Sequence, residues 1–168
     1  TEEIESMILY PNFGFASAPR TATGWFEDVC YRAGVFKIQN SPVQIHRPPK
    51  EDHGGFVLSI VRHPYDWLGS LFDGWRSGKL PLVEFNKLVD VAEPFQLSDN
   101  FRGFVLKYLE ECPGQVSKIF DAYRPSSTIR VEDLPWAAEE FLISMGAKET
   151  KKIRLLAPIN RRWRVDRV

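Results

Sequence analysis

The segment GGFVLSIVRHP, residues 54–64, constrains the fold more than any other part of the chain. A nearly continuous run of apolar or small residues between Gly-Gly and a proline is typical of a strand that is buried on both faces of a parallel sheet. Pro64 then suits the first turn of a helix over residues 65–77. The apolar face of that helix would consist of Trp67, Leu68, Leu71, Phe72 and Trp75. The sequence therefore predicts a central buried strand that leads directly into a helix.

The same order of strand, loop and helix occurs before and after this segment. Residues 13–17 predict a strand that stops before Pro19, and residues 24–34 predict the following helix. Residues 127–134 predict a further strand, and Pro135 opens a helix over residues 136–147. Such alternation implies an α/β fold with a central parallel sheet, helices on both faces and a ligand crevice at the carboxyl ends of the strands.

The remaining segments complete a single predicted domain that spans residues 1–168. Two short runs, 35–39 and 43–47, are also strand-like. Residues 81–124 form a predicted helical insert with helices over 81–92, 98–112 and 114–123, broken at prolines and a glycine. Residues 147–168 form a basic, irregular tail.

Composition excludes several classes of partner. The 22 basic and 22 acidic residues cancel, so no overall field would attract nucleic acid or an anionic membrane. Cys30 and Cys112 lie far apart without zinc-ligand spacing, which predicts no metal site and favours a reducing, cytoplasmic location. With no apolar run of about 18 residues and an acidic start, we expect neither a membrane span nor a signal peptide, although Thr1 in place of Met suggests that an upstream segment was removed.

The loop RTATG, residues 20–24, has the chemistry of an anion site. A loop that leaves a buried strand and enters a helix directs free backbone N–H groups and the positive end of the helix dipole into its bend. Arg20 adds a permanent charge, and Thr21 and Thr23 add hydroxyl donors. The phosphate-binding pattern GxxxxGK[ST] is absent, which disfavours a nucleoside triphosphatase. A simple capped turn remains the plain alternative for this loop taken alone.

A second cluster follows the predicted central strand. Arg62 ends that strand, and Ser70 comes eight residues later on the predicted helix, within reach of an anion held by Arg62.

With both clusters, the chain resembles the sulfotransferases that use 3′-phosphoadenosine 5′-phosphosulfate (PAPS). Their 5′-phosphosulfate loop reads approximately Pro-Arg/Lys-Ser/Thr-Gly-Thr-Thr-Trp, and PRTATGW at 19–25 agrees at five of seven places. Their 3′-phosphate motif, Arg-x-Pro-x-Asp with a Ser eight residues after the Arg, is matched throughout by RHPYDWLGS at 62–70. A weaker similarity is RVEDL at 130–134, and the likeness extends over residues 12 to 146. The resemblance implies a three-layer, P-loop-like sulfotransferase fold.

The resemblance also implies roles for individual residues. The residues that it assigns to the cofactor are Arg20, Thr21, Ala22, Thr23, Gly24, Trp25, Arg62 and Ser70. Arg20 would also be catalytic, since it would offset the charge that develops on the bridging oxygen as the sulfuryl group leaves. Trp25 would pack near the adenine. Arg62 and Ser70 would bind the 3′-phosphate that distinguishes PAPS from ATP-like cofactors.

Attack by a hydroxyl acceptor also requires a base, for which the sequence offers two candidates. His46 resembles the base of the cytosolic family members, and a histidine accepts a proton near neutral pH. Asp28, eight residues after Arg20, stands where the glycosaminoglycan-modifying members have a catalytic Glu, and Glu27 is its neighbour. A surface histidine and a solvated carboxylate are the plain alternatives.

Four positions depart from the family pattern. Ala22 replaces a Gly, which predicts strain if the loop needs a positive φ there, and Gly24 replaces a Thr hydroxyl. Gln44 replaces a Lys before the predicted base, and Val131 replaces a Tyr beside the adenine. The tail offers arginines for the 3′-phosphate at 161, 162 and 164 without a clear motif match.

The sequence thus predicts transfer of a sulfuryl group from PAPS to a hydroxyl or amine on a small-molecule or carbohydrate acceptor. Two alternatives remain open. One is a catalytically degenerate binding or interaction module of the same fold, and the other is a nucleotide kinase, which the missing phosphate-binding Lys disfavours.

Overall fold

A computed structural model describes residues 7–18, 20–38, 55–79, 100–148, 150 and 153. Within them the chain has an α/β fold around a four-stranded open sheet of strands β1 (Ile8–Leu9), β2 (Gly14–Ala16), β3 (Val57–Val61) and β4 (Ser127–Arg130). The strand order is β1-β2-β3-β4, with β1 antiparallel to β2 and the other neighbours parallel. The predicted central position of β3, between β2 and β4, is confirmed.

In the part of the chain that the structure describes, five α-helices connect or flank these strands. They are α1 (Thr23–Arg32), α2 (Pro64–Arg76), α3 (Phe101–Glu111), α4 (Gln115–Ala122) and α5 (Trp136–Ser144), with a short 3₁₀ turn at Val131–Asp133 between β4 and α5. Pro64 opens α2, as its fixed φ favours the first helical turn. Asn100 caps α3, since its side chain accepts a hydrogen bond from the backbone N–H of Gly103 at 2.8 Å.

Helices pack on both faces of the sheet. On one face, α1 and α5 cover a core built around Phe15, Phe26, Leu58 and Leu142, each 0% exposed. On the other face, Ala16 and Val57 contact a cluster that includes residues of α4. Phe15 and Ala16 of β2 thus point to opposite faces of the sheet, because successive side chains of a strand alternate between its two faces. The arrangement is compatible with three layers.

A third cluster joins α2 to α3. It contains Trp67, Leu68 and Leu71 of α2 with Phe104 and Tyr108 of α3. This contact holds α2 against the part of the chain that was predicted as a helical insert, so the position of α2 depends on residues more than 30 positions away.

Two predicted strands differ in the structure. Residues 35–38 are not a strand. The backbone N–H of Ile38 donates one hydrogen bond to Leu9 O at 3.0 Å, which is too little for a ladder with β1. The side chains of Phe36 and Ile38 are 58% and 62% exposed. The strand predicted over 127–134 ends at Arg130, because the chain turns through Val131–Asp133 to bring Leu134 into the main core.

Several predictions fall outside the described residues. These are the strand at 43–47, the helix at 81–92 and most of the basic tail. Among the described residues, no helix combines the length and apolar character needed to cross a membrane.

Candidate functional site

The loop between β2 and α1 concentrates the backbone strain of the described chain. Arg20 has φ 61° and Ala22 has φ 64°, and Arg124 is the one other described non-glycine residue with a positive φ. Bulky or methyl-bearing residues adopt this region at a cost, and such strain collects at ligand sites. The strain predicted for Ala22 is present, since Ala22 adopts a positive φ in this loop.

Hydroxyl groups brace the inside of this loop. Thr21 Oγ1 donates to Ala18 O at 2.7 Å, and Thr21 is 0% exposed. Ser17 Oγ and Thr23 Oγ1 lie 2.5 Å apart, both buried. The hydroxyl proton of Thr21 is therefore used within the loop rather than offered to a ligand.

Sequence reasoning missed Ser17. The signal was available, since a small hydroxyl residue directly after an apolar strand and six positions before Thr23 can bridge the loop that joins them.

The first turn of α1 faces the same loop. Its N-cap residue, Ala22, supplies no side-chain hydrogen bond, and Gly24 in the first turn is exposed. Orphan N–H groups and the positive end of the dipole at such a terminus favour an anion.

Arg20 crosses from this loop to α2. Its Nε donates to Ser70 Oγ at 3.1 Å, and its Nη2 donates to Ser70 O at 3.0 Å. Burial lowers the pKa of the Arg20 guanidinium, and the charge of Asp73 opposes that shift. Arginine nevertheless stays protonated in proteins, so Arg20 places a positive charge between the loop and α2.

Arg62 joins the same network from the end of β3. Its Nη1 lies 3.5 Å from Arg20 O, at the limit of a hydrogen bond, and Arg62 is 7% exposed. Ser70 is 4% exposed. β2 and β3 are parallel neighbours, so the residues that follow them meet at one edge of the sheet. The structure thus brings together Arg20, Arg62 and Ser70, three residues that the sequence placed in two separate motifs.

The remaining predicted site residues lie elsewhere. Trp25 is 5% exposed and belongs to the main core, and its expected place near the adenine stays a prediction. Asp28 is exposed on α1, where Arg32 Nε donates to its Oδ2 at 2.8 Å. Its neighbour Glu27 pairs with Lys37. His46 lies outside the described residues.

A metal cluster and a cavity are the other features that could mark a site. The described residues contain no group of three or more His, Cys, Asp and Glu side chains placed to hold a metal ion. A cavity of about 560 Å³ lies between residues 11–13, 33–38 and 145–148. Those segments precede β2 or follow α1 and α5, so the cavity is at the opposite edge of the sheet from Arg20.

No family model, curated protein or solved structure matches the chain.

Proposed function

We propose that this protein is a sulfotransferase that transfers the sulfuryl group of PAPS to a hydroxyl or amine of a small-molecule or carbohydrate acceptor. The proposal includes the P-loop-like sulfotransferase type of the α/β fold and a cytoplasmic location.

The observation that supports the proposal most is the meeting of Arg20, Arg62 and Ser70 at the carboxyl edge of the sheet. Arg20 binds both the hydroxyl and the carbonyl of Ser70. Two guanidinium groups and a helix N-terminus at one site favour a ligand with several negative charges. A bisphosphorylated nucleotide has such charges at its 3′ and 5′ ends.

The residues present fit such a ligand. Arg62 and Ser70, both at least nine-tenths buried, would bind the 3′-phosphate, and the N-terminus of α1 with Arg20 would bind the 5′ group. An anion would compete with Ser70 for the donors of Arg20, and hydrogen bonds from a guanidinium to a charged oxygen are stronger than those to a neutral one. Bound PAPS would supply an activated sulfuryl group together with its bisphosphate leaving group.

The protein would contribute charge and a base. Arg20 would stabilise the negative charge that develops on the departing phosphate oxygen. As the acceptor oxygen or nitrogen forms its bond to sulfur and the bond from sulfur to that phosphate oxygen breaks, a base takes the acceptor proton. His46 and Asp28 remain the two candidates, and Asp28 would first have to leave its ion pair with Arg32.

A second candidate function has support from the loop itself. Ala22 at φ 64° and the hydrogen bonds of Arg20 to Ser70 are also expected of a binding module that kept the fold and lost turnover. Such a module would bind the bisphosphate without transferring sulfuryl groups. The nucleotide kinase is the third and least supported reading, because no Lys stands in the loop.

Calorimetry distinguishes these readings. The protein is titrated with 3′-phosphoadenosine 5′-phosphate (PAP), with AMP and with ATP at one salt concentration. We expect PAP to bind tightest, and Arg62→Ala to bring the affinity for PAP close to that for AMP. Arg32→Ala, which removes the same charge from the far end of α1, is the matched control and should leave the preference unchanged.

Each alternative has its own result. Equal affinity of the unmodified protein for PAP and AMP would contradict the proposal, and tighter binding of ATP would favour the kinase. Where PAP is preferred, an acceptor screen with PAPS separates the enzyme from the binding module, with His46→Ala and Asp28→Ala testing the two bases.

A further inference from the structure

Glu132 contacts the loop that holds the predicted 3′-phosphate residues. The backbone N–H of His63 donates to Glu132 Oε1 at 2.9 Å, although the two residues are 69 positions apart. Glu132 lies in the 3₁₀ turn after β4, and His63 lies between β3 and α2. Since β4 is the parallel neighbour of β3, this turn sits at the same edge of the sheet as Arg62.

The hydrogen bond from His63 to Glu132 lies at the N-cap of helix α2. His63 is the N-cap of α2, and its own side chain makes no capping hydrogen bond. In a capping box, a Glu three residues into the helix accepts the N–H of the N-cap residue. Here a carboxylate from another element accepts that N–H, and its negative charge is favourable at the positive end of the helix dipole.

Both residues of the 3′-phosphate motif depend on this junction. Arg62 is the residue directly before His63, and Ser70 lies within α2, two turns after its start. A junction that shifts therefore displaces the Arg62 guanidinium and the Ser70 hydroxyl relative to each other. A misplacement of about 1 Å is enough to weaken a site that depends on positioned donors.

Asp133, the neighbour of Glu132, provides a contrast. Arg130 donates to both of its carboxylate oxygens, at 2.8 and 3.2 Å, within the same short turn. This pair is local and exposed. Both acids of the turn thus lie near the charge of Arg130, and Glu132 in addition accepts a hydrogen bond from the β3–α2 loop.

We infer that Glu132 is the positioning residue of the 3′-phosphate subsite, acting through the backbone of His63 rather than by touching the ligand. This inference rests on the proposed function. It identifies the selective recognition of a 3′-phosphate, and not general anion binding, as the property that Glu132 controls.

The test compares Glu132→Ala, Glu132→Gln and Asp133→Ala by titration with PAP and AMP. Removing a hydrogen bond to an exposed carboxylate should reduce the preference of Glu132→Ala for PAP over AMP about fivefold. Glu132→Gln keeps an oxygen that can accept the His63 N–H, so its preference should stay within about twofold of the unmodified protein. Asp133→Ala removes a charge of the same sign from the same turn and should leave the preference unchanged.

Hydrogen exchange of the His63 amide tests the contact without any ligand. Exchange should be faster in Glu132→Ala than in the unmodified protein, and Glu132→Gln should restore most of the protection.

The outcomes separate this inference from the proposed function. If the unmodified protein does not distinguish PAP from AMP, the proposed function fails and the role of Glu132 in it fails as well. If the unmodified protein prefers PAP and Glu132→Ala keeps that preference, the inference alone is wrong. A preference lost equally in Glu132→Ala and Asp133→Ala would also overturn it, because the effect would then follow from charge and not from the His63 contact.

Discussion

The pair of hydroxyls inside the loop between β2 and α1 allows a quantitative test of how that loop is held. Ser17 and Thr23 are 1% and 8% exposed, and their oxygens lie 2.5 Å apart. Ser17 directly follows β2, and Thr23 is the first residue of α1. Their hydrogen bond therefore ties the two ends of the strained loop together.

A double-mutant cycle isolates the energy of this bond. Ser17→Ala and Thr23→Val each remove it, and each should lower the free energy of unfolding by about 1 kcal/mol, the usual net value of a buried hydrogen bond. The double variant loses the same bond only once. Its destabilisation should therefore fall short of the sum of the single effects by about 1 kcal/mol, well above the ~0.3–0.5 kcal/mol scatter seen for independent sites.

Urea unfolding provides the measurement, followed by tryptophan fluorescence, since Trp25 and Trp67 are buried at 5% and 0% exposure. In thermal unfolding, each single variant should melt about 2–4 °C lower, the shift expected for 1 kcal/mol in a chain of this size. Ser17→Ala combined with Ser144→Ala serves as the control pair. Ser144 donates to Phe141 O at the exposed end of α5, so that pair should be additive.

Additive effects of Ser17→Ala and Thr23→Val would refute the reasoning. They would mean that the two hydroxyls do not stabilise each other in the folded protein, and that the loop is held by its other contacts. A coupling of about 1 kcal/mol would instead show that the two hydroxyls hold the ends of the loop together without any ligand.

Two further predictions concern the backbone strain and a buried thiol. Ala22→Gly should stabilise the protein by about 0.5 kcal/mol. The left-handed conformation costs an alanine ~1–2 kcal/mol, which exceeds the ~0.4–1 kcal/mol by which a glycine increases the entropy cost of folding. Ala33→Gly is the control and should destabilise the protein, because Ala33 has φ −80° and is not strained. A lower melting temperature in both variants would contradict the strain at Ala22. Burial raises the pKa of Cys30 to about 12, so the thiol should resist a disulfide reagent at pH 8 until urea unfolds the chain. The thiol of the unfolded chain ionises at lower pH than the buried one, so the free energy of unfolding should fall as pH rises from about 9 to 12. This fall should be less steep in Cys30→Ala. An equal dependence of the unfolding free energy on pH in both proteins would contradict the raised pKa of Cys30.

Much of the fold could be predicted because its signals are local. The apolar run of β3 and Pro64 at the start of α2 identified a buried strand followed by a helix, and the structure places both at those residues. Gly34, with φ 72°, follows α1 as predicted, since a glycine adopts the left-handed turn that ends a helix without a Cβ penalty.

Strand pairing was less predictable because it depends on distant partners. Residues 35–38 have the composition of a strand, yet they make only one backbone hydrogen bond to β1 and form no ladder. Residues 131–133 continue an apparently extended run, but Glu132 bonds the β3–α2 loop and the chain turns. In both places the outcome depends on which other backbone is within reach, which periodicity does not encode.

By itself, the sequence determined the two clusters of residues that are predicted to bind anions and their place at the ends of strands, because both are properties of short segments. Only the tertiary structure decided that Arg20 binds Ser70 across 50 positions, that Trp25 enters the core, and that Glu132 reaches the start of α2. These contacts exist because the order β2-β3-β4 aligns the carboxyl ends of three parallel strands at one edge of the sheet. That alignment results from packing helices on both faces of the sheet, a property of the whole domain rather than of any segment.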